Sequence, residues 1–142
     1  MKILFICTGN TCRSVMAEYY ARAKLKELGV SGVAVSSAGV ATIDGMPASQ
    51  GALAVLEEVG MDASPHVSRV LTKEIAEEAD KIYALAKSHL EVLEKEFPSV
   101  KGKAEILASK SVPDPIGLTL EEYRDSLDMI SIAVDFKILS KI

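Results

Sequence analysis

Lys2-Ile3-Leu4-Phe5-Ile6-Cys7-Thr8-Gly9-Asn10-Thr11-Cys12-Arg13-Ser14 decides the fold. Its first half is a continuous apolar run, the pattern of a central parallel strand covered on both faces. Its second half is a short loop holding Gly9, and Ser14 sits where a helix would start. From Val15 onward Met16, Tyr19, Tyr20, Ala23 and Leu28 recur at helical spacing until Gly29 provides a stop. Val33-Ala34-Val35-Ser36-Ser37 then reads as a second strand. Strand, helix and strand at these lengths make a right-handed βαβ unit, with the loop at the carboxyl end of the first strand.

A loop in that place turns successive backbone N–H groups inward as an anion-binding nest, and the helix N-terminus adds partial positive charge. Cys7, five residues, then Arg13 supplies a thiolate to attack phosphorus, amides from Thr8 to Ser14 for the phosphoryl oxygens, and a planar fork that grips two oxygens at once. The same field favours thiolate over thiol. A free cysteine has a pKa of about 8.5, lowered by one to several units beside helix N-termini or cations, so the sequence predicts Cys7 largely ionised near neutral pH. The spacing alone is weak, since two cysteines and four arginines can produce it by accident around a buried structural Cys. The apolar strand ending at the Cys, and Gly9 permitting close backbone approach, argue against accident.

The rest of the chain alternates. A loop from Gly39 to Met46 precedes Pro47, suited to the first turn of a helix, and Ala48 to Val59 carries Ala52, Leu53, Leu56 and Val59 on one face before Gly60. Pro65 to Leu71 reads as extended or irregular, and Thr72 caps a short helix through Glu78. Asp80 to Ala86 is a third strand, Ser88-x-x-Glu91 a capping box for a helix ending before Pro98, and Ala104 to Leu107 a fourth strand. Thr119-x-x-Glu122 is a second capping box, opening a helix with Leu120, Tyr123, Leu127, Ile130, Val134 and Ile138 on one stripe. This alternation predicts a three-layer α/β/α sandwich around a short parallel sheet.

A chain of 142 residues is one domain, 1–142, with no repeat, linker or low-complexity tract to divide it. The net charge of −4 and the lack of a dense Lys/Arg cluster argue against nucleic acid; Lys101 and Lys103, the nearest approach, read as a solvated turn. The N-terminal apolar run is too short for a signal-peptide core or a membrane span, which predicts a cytoplasmic protein with no membrane partner. Both cysteines lie in one loop, so there is no secreted disulfide framework. With only two histidines, neither a metal nor another cofactor is expected. Nothing in the sequence speaks to oligomeric state.

Cys7 to Ser14, followed by Met16-Ala17-Glu18, resembles the signature loop of the low-molecular-weight protein tyrosine phosphatases, a family that includes bacterial protein-arginine phosphatases. The resemblance continues through Ser37-Ala38-Gly39, His66 and Val112-Pro113-Asp114-Pro115, nearly the whole chain. It implies four main strands with helices on both sides, and a phosphorylated protein as substrate.

Displacing a leaving group from phosphorus needs a proton, because Arg13 and the amides stabilise only the equatorial oxygens. Asp114 is the candidate acid, its backbone restricted by prolines on both sides, although Pro-Asp-Pro is also good turn chemistry. Ser14 suits a hydrogen bond to the thiolate as well as a helix cap. By resemblance Asn10 holds the loop in a left-handed conformation, with Ser37 and His66 as its partners. Cys12 reads either as a reversible disulfide partner for Cys7 under oxidant or as a small buried residue.

Two positions bear on substrate. Ile116 stands where the family's tyrosine phosphatases typically place an aromatic residue, and Thr11 resembles the arginine phosphatases, where many tyrosine phosphatases carry a bulkier aliphatic residue. Phosphotyrosine and phosphoarginine therefore both stand. Val15, where the family usually has Pro, costs only loop rigidity. An arsenate reductase of the same fold would need further cysteines, and none follows Cys12. A phosphocarrier or a phosphate-binding module that does not hydrolyse is the other alternative, against which Arg13 and Asp114 count, since both favour turnover.

Overall fold

A strand buried on both faces must alternate its side chains between two cores, and β1 (Lys2–Cys7) does so in the computed structural model, which describes residues 1–142. Ile3, Phe5 and Cys7 enter the larger apolar core, built with residues of α1 (Arg13–Glu27), α2 (Gln50–Glu58) and α5 (Leu120–Lys137). Leu4 and Ile6 enter the smaller one with Ala76 of α3 (Lys73–Glu78) and Leu93 of α4 (Lys87–Glu96). Between the two cores lies one four-stranded parallel sheet in the order β2-β1-β3-β4, with β2 at Ala34–Gly39, β3 at Lys81–Ala84 and β4 at Ala104–Ile106. The predicted α/β/α sandwich is the fold observed.

The register fixes where chemistry can occur. Cys7 pairs with Gly39 across β2, and Ile6 with Ala84 across β3, so β1, β2 and β3 all end near the sulfur. The four amides that open α1 begin just beyond that edge.

Several local expectations need correction. Pro47 does not enter a helix; it bridges Val67 in antiparallel fashion, and α2 starts at Gln50 because the Ser49 hydroxyl caps the Ala52 N–H at 3.2 Å. Ser88 is not a cap either. α4 starts two residues before the position that cap would set, at Lys87, whose N–H donates to the Ser111 hydroxyl at 2.9 Å, a cap supplied from another segment. Leu28 is 60 % exposed, since the helix ends before it and Gly29 turns away at φ 70°; Leu25 fills the core instead. Leu120 and Val59, at helix ends, are also exposed, and the third and fourth strands are shorter than their apolar runs. A 3-10 helix at Pro98–Lys103, unpredicted, joins α4 to β4. No helix is long and apolar enough to cross a membrane.

Candidate active site

The loop between β1 and α1 is held by one residue in a conformation that most side chains avoid. Asn10 has φ 56°, the sole non-glycine positive φ in the chain, and it is fully buried. Its Nδ2 donates to Ser14 Oγ at 2.8 Å and to Ser37 Oγ at 2.9 Å, and its Oδ1 accepts the Arg69 N–H at 3.0 Å. The carbonyl oxygen of Asn10 accepts from His66 Nε2 at 2.7 Å. The Ser37 hydroxyl donates in turn to Glu18 Oε1 at 2.5 Å, and Glu18 pairs with Arg22. A buried chain of donors thus ends on a carboxylate, leaving each polar atom satisfied. Gly39 completes the mould: a Cβ there would stand 2.7 Å from the Thr8 carbonyl oxygen.

Cys7 Sγ lies 2.8 Å from Ser14 Oγ. Since that hydroxyl already accepts from Asn10, its proton is free to point at the sulfur. The sequence expects the field of the loop to lower the Cys7 pKa, and burial works against that field. Burial pushes the Cys7 thiol above its ordinary value, against the Ser14 hydroxyl, the amides of Ser14 and Asn10 and the Arg13 guanidinium, which all pull it down.

Arg13 is buried, and its fork is spoken for on one side. Nη1 donates to the Val112 carbonyl at 3.1 Å; Nη2 donates to Thr8 Oγ1 at 3.3 Å and lies 3.4 Å from His89 Nε2 and 3.5 Å from Asp114 Oδ2. Asp114 is thereby brought to the cradle, its other oxygen accepting the Ile116 N–H at 3.1 Å in a local turn. The turn and the ion pair coexist.

His89 was not singled out in the sequence. It sits in the first turn of α4, 3 % exposed, with Nε2 at 2.9 Å from Thr8 Oγ1. Burial first, then Arg13, lowers its pKa to about 4, with Asp114 opposing. Its Nδ1 is buried with no partner, a loss of about 1–3 kcal/mol. One signal was available: the helix after the third strand starts at the carboxyl edge of the sheet, where the cradle lies.

Cys12 faces away from this network. It is a free, buried thiol that donates to Ser49 Oγ at 3.2 Å and lies 3.4 Å from the Tyr123 hydroxyl, whose pKa is pushed up to about 12 by burial and by Cys12 itself. Thr11 lines a cleft with Gly9, Ala41, Thr42, Ile43 and Met46, a wall without an aromatic ring. Ile116, two residues past Asp114, is 58 % exposed. No group of three or more His, Cys, Asp or Glu side chains is placed to hold a metal ion.

The family described as low molecular weight phosphotyrosine protein phosphatase matches residues 2–137. A protein-arginine-phosphatase of Geobacillus stearothermophilus is 37 % identical over 140 residues, 94 % of this chain and 91 % of the relative. The crystal structure of a low molecular weight protein tyrosine phosphatase from T. tengcongensis superposes with a TM-score of 0.94 at 38 % identity, covering 100 % of this chain and 99 % of that one. A YwlE arginine phosphatase mutant with a phosphorylated active-site serine has a TM-score of 0.89 at 31 % identity, covering 94 % of this chain and 91 % of the other. By the match along nearly its whole length, the chain belongs to the low molecular weight phosphotyrosine protein phosphatase family.

Proposed function

We propose that residues 1–142 act as a single cytoplasmic domain that removes phosphate from phosphoproteins through a phosphocysteine. Cys7 attacks phosphorus in line; the S–P bond forms as the P–O or P–N bond to the substrate breaks, and Asp114 gives its proton to the departing group. Water then attacks the phosphocysteine, Asp114 takes its proton back, and the S–P bond breaks to release phosphate. The amides from Thr8 to Ser14 and the Arg13 fork hold the equatorial oxygens, and the Ser14 hydroxyl stabilises the sulfur both as attacker and as leaving group. Cys7 attacks as the thiolate, which the Ser14 hydroxyl, the amides of Ser14 and Asn10 and the Arg13 guanidinium favour against the burial that raises its pKa.

The observation that carries this reading is the contact between Arg13, at the close of the loop that Cys7 opens, and Asp114, distant in sequence and 3.5 Å away in space. The phosphorylated serine in the related YwlE mutant supports covalent transfer. Between the two substrates, Thr11 and a cleft wall lined by Ile43 and Met46 favour phosphoarginine, whose flexible aliphatic stem needs no ring to stack on.

The test is hydrolysis of para-nitrophenyl phosphate by wild type, Cys7→Ser and Asp114→Asn. Wild type turns over; Cys7→Ser loses activity to background. Full activity in Cys7→Ser would remove Cys7 as nucleophile, and phosphate binding without turnover in wild type would leave a binding module.

A further inference from the structure

His89 has no part in the mechanism above, yet it touches two of the cradle's own side chains. Arg13 has donors and no acceptor, so where its Nη2 meets Thr8 Oγ1 the hydroxyl accepts. The hydroxyl proton of Thr8 then turns to its other neighbour, His89 Nε2, at 2.9 Å. Nη2 also lies 3.4 Å from that nitrogen, which is therefore an acceptor, and the ring carries its proton on Nδ1. The triangle joins opposite layers of the sandwich: Arg13 opens α1, and His89 stands on α4 across the sheet.

We propose that His89 is a positioning residue, whose Nε2 fixes the Thr8 hydroxyl and the Arg13 Nη2 so that the remaining edge of the guanidinium faces the phosphoryl group. The inference rests on the reading of Arg13 as the phosphoryl-binding cation. With one Nη1 proton on the Val112 carbonyl and Nη2 shared among Thr8, His89 and Asp114, Nε–H and the second Nη1 proton are the donors left for an oxyanion. The groups that face the ring are Thr8 in the loop, Arg13 from α1 and Asp114 from the segment before α5.

A histidine kept for packing would bury no polar atom in vain, whereas here Nδ1 is buried and unpartnered. That difference gives the experiment its two arms. His89→Leu fills similar space, removes the acceptor and removes the orphan nitrogen. Its unfolding midpoint in urea should equal or exceed that of wild type. Its kcat/KM on para-nitrophenyl phosphate should fall about tenfold or more, with inorganic phosphate inhibiting more weakly, because a misplaced cation costs both contacts and orientation. His89→Gln, whose Oε1 can accept where Nε2 does, should recover most of both. Leu with wild-type kcat/KM and wild-type phosphate inhibition overturns the proposal, as does Gln falling as far as Leu.

Calorimetric titration with inorganic phosphate needs no turnover, and it separates the two failures. Wild type that binds phosphate without hydrolysing the ester sinks the phosphatase reading. The ratio of phosphate affinities among wild type, Leu and Gln then still decides the role of His89, with equal affinities overturning it.

Discussion

Arg13 Nη2 and Asp114 Oδ2 stand 3.5 Å apart, the guanidinium buried and the carboxylate 43 % exposed. One contact thereby joins the close of the β1–α1 loop to the segment before α5, and the neighbouring Arg13–Val112 hydrogen bond repeats the join through the backbone. In the proposed reaction these are the groups that hold the transferred phosphoryl and protonate what it leaves.

Asp114→Asn should reduce kcat about a hundredfold or more on phenyl phosphate, the range general acids contribute, and less on para-nitrophenyl phosphate, whose leaving group needs less help. Steady-state kinetics on both esters check this; equal losses would mean that Asp114 supplies no proton. Stability should change by less than about 1 kcal/mol, because the carboxylate is partly exposed and water screens the pair.

Thr11→Ile should raise the ratio of kcat/KM for phosphotyrosine over phosphoarginine by narrowing the cleft that Thr11 shares with Ile43 and Met46. Ile116→Phe should raise the same ratio a few-fold, since one aromatic pair contributes about 0.5–1.5 kcal/mol. Parallel assays on the two phosphoamino acids decide, and an unchanged ratio in Thr11→Ile removes it as the selector.

Gly51→Ala should destabilise the fold by about 1–3 kcal/mol, the usual cost of overpacking. An added Cβ would lie 2.3 Å from the Tyr123 ring, and that ring carries the hydroxyl facing Cys12. Urea unfolding of Gly51→Ala and of the double variant Gly51→Ala/Tyr123→Leu gives the check. The added cost of the alanine should shrink once the ring is gone, and a cost that persists would place the strain elsewhere.

His89 makes folding sensitive to mild acid. Its pKa is about 4 in the folded chain against an ordinary value of 6.5, so between those values the unfolded chain binds the extra proton. The stability tied to the neutral ring is complete above pH 6.5 and drains away as pH falls towards 4, by at most about 3 kcal/mol. Urea midpoints from pH 7 to 4 should fall less steeply for His89→Gln than for wild type; parallel curves would contradict this.

The parts of the fold that could be read from sequence are those set by local pattern. The apolar run into Cys7, the φ-positive Gly29 and Gly60 after their helices, and the Thr72 and Thr119 caps all follow from chemistry within one segment. The Cys7–Ser14 loop and the proline-flanked Asp114 were legible for the same reason. What escaped depends on another segment. Ser111 caps α4 from more than twenty residues away, Pro47 pairs with Val67, and His89 reaches Thr8 across the sheet. The burial that raises the Cys7 pKa against the loop's donors is set by the core around it, not by the motif.

The mould around Arg13 carries a consequence for affinity. A free arginine side chain samples many rotamers, and immobilising one on association costs roughly 0.5–1.5 kcal/mol of entropy. Here Val112, Thr8, His89 and Asp114 have already ordered it during folding. An arriving dianion meets a cation with little freedom left to lose, so more of its attraction survives as affinity.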